Sequence, residues 1–134
     1  MIGIVVVTHG SLSETLIKTA EMIVGAQQNL IAVCFHSSEG LDDLKDKVKK
    51  AIDATHSNEG VIVFTDMFGG STSIISSYFI SKTVEVITGV NLPMLLETIL
   101  SRENVDNIKD LVKLVIEKSK KSIIAISEIH KISK

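Results

Sequence analysis

Three stretches hold the side chains able to do chemistry: Thr8-His9-Gly10-Ser11, Asp66-Met67-Phe68-Gly69-Gly70-Ser71-Thr72-Ser73 and Gly89-Val90-Asn91-Leu92-Pro93. His9 is the candidate nucleophile. It follows an apolar, β-branched run from Ile2 to Val7 and precedes a helical pattern. Ser11 and Glu14 stand at the spacing of a capping box at the start of that helix. An imidazole on such a turn lies near unpaired N–H groups and the positive end of a helix dipole. Both favour an anion and disfavour imidazolium. A neutral histidine that becomes an anionic adduct, such as a phosphohistidine, suits this place before and after reaction. Taken alone, the stretch is equally readable as a loop histidine without chemistry.

Asp66 supplies what such a histidine lacks. A carboxylate accepting from Nδ1–H fixes the tautomer and leaves Nε2 free to attack. Gly69 and Gly70 let the backbone approach an anion closely, and Ser71, Thr72 and Ser73 add hydroxyls. The candidate phosphate-binding residues are Gly10, Ser11, Gly69, Gly70, Ser71 and Thr72. Phosphoryl transfer needs mainly positioning and charge stabilisation, so few reactive groups suffice. The plainer readings are a turn or cap role for Asp66 and a flexible turn for the glycines. No lysine follows the glycines, so this is not a Walker A loop. His36 lies at the same sheet edge and could flank the site, although a loop role suits it better. His56 and His130 sit near a turn and in the tail, and the four histidines are too scattered for a metal centre. Ser11, His9 and Asp66 are the ingredients of a hydrolase triad, but no nucleophile-elbow pattern is present and Ser11 is better used as a cap.

The elements that must position these groups alternate. Strands are expected at Ile2 to Val7, Leu30 to Phe35, Val61 to Thr65 and Val84 to Thr88. Between them lie helices starting near Ser13, Leu41 and Ser71, the first with Leu16, Ile17, Ala20, Ile23 and Val24 inward and stopped by Gly25. The helix after Gly70 should turn Ile74, Ile75, Tyr78 and Phe79 inward. Pro93 opens a helix lined by Met94, Leu95, Ile99 and Leu100. Asn104 or Asp106 caps a last, longer helix, and Ser122 to Ser127 reads as a fifth strand. Alternation of this kind argues a parallel sheet covered on both faces, with flavodoxin-like order 2-1-3-4. The order reverses between strands one and three, which brings His9 beside Asp66. Residues 1–127 form a single domain and 128–134 a charged tail.

The chain has 134 residues and a formal net charge of −2, from 14 basic and 16 acidic side chains. That size suits one domain, and the balance excludes the basic surplus of a nucleic-acid binder. Its one cysteine, Cys34, sits in an apolar run and reads as a buried small hydrophobe in a reducing compartment. No run is long enough to span a membrane, and no signal peptide is evident, so a cytoplasmic location is expected. Lys45, Lys47, Lys49 and Lys50 read as a solvated helix face, with a surface for an acidic partner as the alternative.

Thr8-His9-Gly10, Asp66-x-x-Gly69-Gly70-Ser71 and Gly89-Val90-Asn91-Leu92-Pro93-Met94-Leu95-Leu96-Glu97-Thr98, in this order, resemble the IIA component of the mannose family of the sugar phosphotransferase system. The resemblance implies a phosphocarrier. His9 would accept a phosphoryl group from HPr on Nε2 and donate it to a separate IIB component, with membrane IIC and IID components downstream. It implies no cofactor beyond the covalent phosphohistidine. Asp66 would orient His9, and Ser71 with nearby backbone would line the phosphate pocket. It also implies a homodimer in which an antiparallel fifth strand, here Ser122 to Ser127, is exchanged between subunits. Aromatic residues common around the family's site are reduced here to Phe68, with Ser11 at the other matching place. Two other readings compete: a phosphocarrier subunit of a dihydroxyacetone kinase, and a flavin-binding redox module, since Thr8 to Ser13 resembles a flavodoxin phosphate loop. Low aromatic content argues against the flavin. A response-regulator receiver needs acids after strand one, which Thr8-His9 does not supply.

Overall fold

In the computed structural model, which describes residues 1–129, the four expected strands form one parallel sheet. They are β1 (Gly3–His9), β2 (Leu30–Phe35), β3 (Val61–Thr65) and β4 (Val84–Thr88), in the order β2-β1-β3-β4. β1 is the centre: its register pairs Val7 with both Val33 and Thr65, and His9 with Phe35.

The unbroken apolar strand runs follow from burial on both faces. Ile4 and Val6 point to one layer, with Ile62, Phe64 and Ile87; Val5 and Val7 point to the other, with Val61, Val63 and Val84. Helices α1 (Leu12–Val24), α4 (Leu92–Ser101) and α5 (Ile108–Lys120) cover the first face. Helices α2 (Leu41–Thr55) and α3 (Ser71–Ser77) cover the second. Each right-handed crossover returns the chain to the same end of the sheet, so β1 and β3 deliver His9 and Asp66 to one rim.

Several local expectations are corrected. Ser11 precedes α1 but makes no side-chain cap; Thr8 Oγ1 accepts the Ser13 amide instead, at 2.7 Å. Thr8 is fully buried under the helix start, so its hydroxyl is the nearer acceptor. Helix α5 is capped by Asn107, whose Oδ1 accepts the Asp110 amide, rather than by Asn104 or Asp106. Ile23, Ile74, Tyr78 and Leu100 face outward because their helices pack through narrower stripes than an apolar count suggests. The lysine face of α2 is largely paired: Lys47 bonds Glu39 and the Cys34 carbonyl, Lys49 bonds Asp53, and Lys45 lies 5.1 Å from the Tyr78 ring centre.

The fifth strand is not formed in this single chain. Residues 123–125 are irregular, and Ile126–Ile129 is one helical turn, α6. Hydrogen-bond pairing makes a strand, and within one chain this segment pairs with no edge, leaving Ile123, Ile124 and Ile126 exposed. His130 and the rest of the expected charged tail lie outside the described residues. Cys34 is buried and free, with Ser13 Oγ 3.3 Å from its sulfur. Among the described residues, no helix is long and apolar enough to cross a membrane.

Candidate functional site

β1 ends at His9, and Gly10 turns the chain into α1 with φ of 56°, a left-handed conformation that a side chain would strain. β3 ends at Thr65, and the next residue is Asp66. The two side chains meet. His9 Nδ1 lies 2.7 Å from Asp66 Oδ2, and the same oxygen accepts the His9 amide at 2.9 Å. The other oxygen, Oδ1, accepts the Thr72 hydroxyl at 2.6 Å and the Met67 amide at 3.1 Å. One carboxylate thus receives four hydrogen bonds, from both sides of the strand end.

Those bonds decide its charge. Burial pushes the Asp66 carboxyl up, but the Thr72 hydroxyl, the His9 amide and the His9 ring together hold it below the ordinary carboxylate range. An ionised carboxylate can only accept, so the short contact to the ring requires the proton on Nδ1. In the neutral imidazole the lone pair then belongs to Nε2. The ring keeps 46% of its side-chain surface exposed while Asp66 keeps 14%, so the orienting group is sheltered and the nucleophile is accessible.

Two further contacts set the ring's attitude. Phe35, paired with His9 in the sheet, meets it edge to face at 5.9 Å between ring centres. On another side stands Gly70: a Cβ there would lie 3.3 Å from His9 Cε1 and 3.2 Å from Met67 Cγ. The missing side chain lets the backbone come right up to the imidazole. The loop carrying Gly70 is held by Ser73, whose hydroxyl contacts the Met67 carbonyl and pairs with Thr65 Oγ1 at 2.6 Å.

The sequence-derived candidates therefore divide. His9 and Asp66 are joined directly, and Gly70 touches the ring. Ser71 opens α3, while Gly69 lies exposed in the preceding turn. Ser11 is exposed, and its hydroxyl is not engaged as a cap. Thr72 is fully buried with its hydroxyl committed to Asp66, so it acts on the carboxylate and not on a ligand. Phe35 was missed as a site residue. The signal available was its position at the end of the strand expected beside β1. Phe68, by contrast, is 87% exposed. His56 is remote, 3.5 Å from Thr83 Oγ1 at the opposite end of the sheet. Among the described residues, no cluster of His, Cys, Asp or Glu could hold a metal ion.

Residues 3–116 match the family model described as PTS system fructose IIA component. The chain is 35% identical over 127 residues to the PTS system mannose-specific EIIAB component of Escherichia coli (strain K12), covering 93% of this chain and 39% of that protein. It therefore spans about two fifths of the length of that relative. It is 33% identical over 130 residues to the PTS system fructose-specific EIIA component of Bacillus subtilis (strain 168), covering 96% and 88%. The crystal structure of phosphotransferase system component EIIA from Streptococcus agalactiae is similar throughout, with a TM-score of 0.87 at 29% identity, covering 96% of this chain and 99% of that one.

Proposed function

The chain belongs to the PTS system fructose IIA component family, and from that premise we propose that it is a phosphocarrier using His9 as acceptor and donor. The observation that carries the reading is the 2.7 Å contact between His9 Nδ1 and Asp66 Oδ2 on a ring that is otherwise half exposed. It leaves Nε2 as the nucleophile. As the P–N bond forms, the ring gains positive character, and the adjacent carboxylate offsets it. Backbone at Gly10, Gly69 and Gly70 and the hydroxyls of Ser11 and Ser71 line the surroundings of the phosphoryl group. Thr72 keeps Asp66 ionised.

HPr is the donor in this reading and a IIB component the acceptor, with sugar uptake through membrane components downstream. No metal or cofactor takes part, and the setting is cytoplasmic. A carrier must release its cargo, and about 1.4 kcal/mol of surplus stabilisation shifts transfer tenfold. The site matches that demand with modest polar groups; the lone arginine, Arg102, is buried at the far end of the sheet.

The same reading includes a homodimer. β4 is an open edge, and beside it runs an apolar groove of about 500 Å³ lined by Val86, Ile87, Met94, Val112, Ile116 and Ile123. Residues 122–127 of a second copy, added as a strand, would cover edge and groove together. Light scattering on the full chain and on a chain ending at residue 121 tests this: a dimer only in the former is expected.

Radiolabelled phosphate passed from phosphorylated HPr tests the carrier role. Label is expected on wild type and on His36→Ala, His56→Ala and His130→Ala, and none on His9→Ala. Label persisting on His9→Ala would refute the assignment. Family membership and the 88% coverage of a fructose-specific EIIA component favour this reading over a dihydroxyacetone kinase subunit. A colourless purified protein would dispose of the flavin alternative.

A further inference from the structure

A hydrogen bond sets a distance and a direction but leaves rotation about itself free. The 2.7 Å contact between Nδ1 and Asp66 therefore holds one corner of the His9 ring without fixing the plane of the ring. Gly70 closes on Cε1. A third neighbour is Phe35, whose ring meets the imidazole at 5.9 Å between centres and 63° between planes. An aromatic wall in that place limits the swing of the imidazole about its bond to Asp66.

Phe35 is badly placed to be rigid by itself. β2 is an edge strand, and Phe35 is its last residue. The end of an edge strand has a neighbour on one side only and opens first. Toward β1 the Phe35 carbonyl accepts the Gly10 amide at 2.9 Å. The peptide groups on either side of Phe35 are taken by side chains instead. Lys47 Nζ donates to the Cys34 carbonyl at 2.6 Å, and the His36 amide donates to Glu39 Oε1 at 2.9 Å. Lys47 and Glu39 then bond each other, at 2.9 Å to Oε1 and 2.8 Å to Oε2. One ion pair thus closes a loop around Phe35. Its anchor is firm, because Lys47 sits in the second turn of α2 between Leu44 and Val48, both fully buried. The Lys47 ammonium and the His36 amide hold the Glu39 carboxyl below its ordinary value, so the pair stays ionised near neutral pH.

We propose that the Lys47–Glu39 ion pair is a positioning device for phosphoryl transfer, acting on His9 through Phe35. This rests on the phosphocarrier reading and adds to it two residues that touch neither the imidazole nor the phosphoryl group. A partly exposed ion pair adds little to stability. Its value here lies in where it ties the backbone: it pins both peptide groups flanking Phe35, and so keeps the wall beside His9 in place.

Phosphoramidate, a small N-phosphoryl donor, tests this without a protein partner. The Nε2 lone pair attacks phosphorus, the P–N bond of phosphoramidate breaks, and its electron pair leaves with ammonia. The rate of labelling on His9, the proton shifts of the unphosphorylated His9 ring and the urea midpoint are read for wild type, Lys47→Met, Lys47→Arg, Phe35→Leu and the double variant Phe35→Leu/Lys47→Met. Labelling should slow about tenfold in Phe35→Leu and about fivefold in Lys47→Met, and Lys47→Met should keep a urea midpoint close to that of wild type. The His9 ring protons should also shift in Lys47→Met, where Phe35 is still present but its ring current has moved. Lys47→Arg, which retains the charge and an N–H donor, should recover most of the rate. The double variant should be no slower than Phe35→Leu alone, since the pair acts through that ring. A wild-type rate with unmoved ring protons in Lys47→Met, or a loss in the double variant equal to the product of the two single losses, would overturn the proposal while leaving the carrier reading intact. Wild type that takes no label on His9 would sink both.

Discussion

The two ends of the sheet each carry a polar cluster, and they are built in opposite ways. At the C-terminal end His9 is half exposed, bonded at Nδ1 and left open at Nε2. At the N-terminal end Arg102 is 1% exposed, and both of its terminal nitrogens are bonded to acceptors. Nη1 donates to the carbonyls of Ile2 and Asn29, at 3.1 and 3.0 Å; Nη2 donates to the Gln28 carbonyl and Gln27 Oε1, at 2.6 and 3.1 Å. Every one of those acceptors is a neutral oxygen. Burial pulls the guanidinium below its ordinary value, with the nearby Glu103 charge opposing, and its place at the C-terminus of α4 puts it against the negative end of a helix dipole. Arg102 ties the entry to β1, the α1–β2 connection and the end of α4 into one knot. A polar group with both terminal amino groups fully bonded to buried oxygens can hold a fold together. One left with a free lone pair can react.

Exchanging damage between the two ends should separate their roles. The largest effect expected is complete: His9→Ala should take up no phosphoryl group while its urea midpoint stays that of wild type. Arg102→Met should do the reverse. It leaves several buried oxygens without a donor, and the loss should be about 3 kcal/mol or more in urea unfolding, with the remaining folded molecules still phosphorylated on His9. Normal stability in Arg102→Met would break the contrast.

Asp66→Ala should slow phosphoryl transfer on the order of a hundredfold, because a ring no longer held at Nδ1 samples unproductive tautomers and orientations. An unchanged rate would remove its orienting role. Asp66 also links the site to acid stability. Its folded-state carboxyl lies below the unfolded value, so its contribution is present above the unfolded pKa of about 3.9 and is lost as pH falls through the folded value. Urea unfolding from pH 7 down to pH 2 should accordingly show a shallower acid limb for Asp66→Asn than for wild type. The smallest effect expected is that of Gly70→Ala. Its methyl would press on Cε1 from 3.3 Å, and the ring must yield by a few tenths of an ångström. The transfer rate should fall several-fold, on the order of 1 kcal/mol, with stability little changed; a full rate would show that the close approach is incidental.

Much of the rim was legible before any coordinates. Unbroken β-branched runs mark strands buried on both faces, helical periods separate them, and that alternation fixes parallel pairing and the crossing point where His9 meets Asp66. Where the sequence misled, neighbours in space outranked neighbours in the chain. Ser11 has the spacing of a cap, yet Thr8 takes the bond. Thr72 reads as a phosphate ligand, yet its hydroxyl turns to Asp66. Phe35 reads as the end of a strand and turns out to face the imidazole across it.

What the amino-acid order determined by itself is the set of elements and the rim to which each delivers its last residue, since both follow from local periodicity and the handedness of crossovers. Only the tertiary structure decided which hydroxyl serves the backbone, which serves the carboxylate and which is left for a ligand. A hydrogen bond depends on tenths of an ångström between residues far apart in sequence, and no local pattern carries that information.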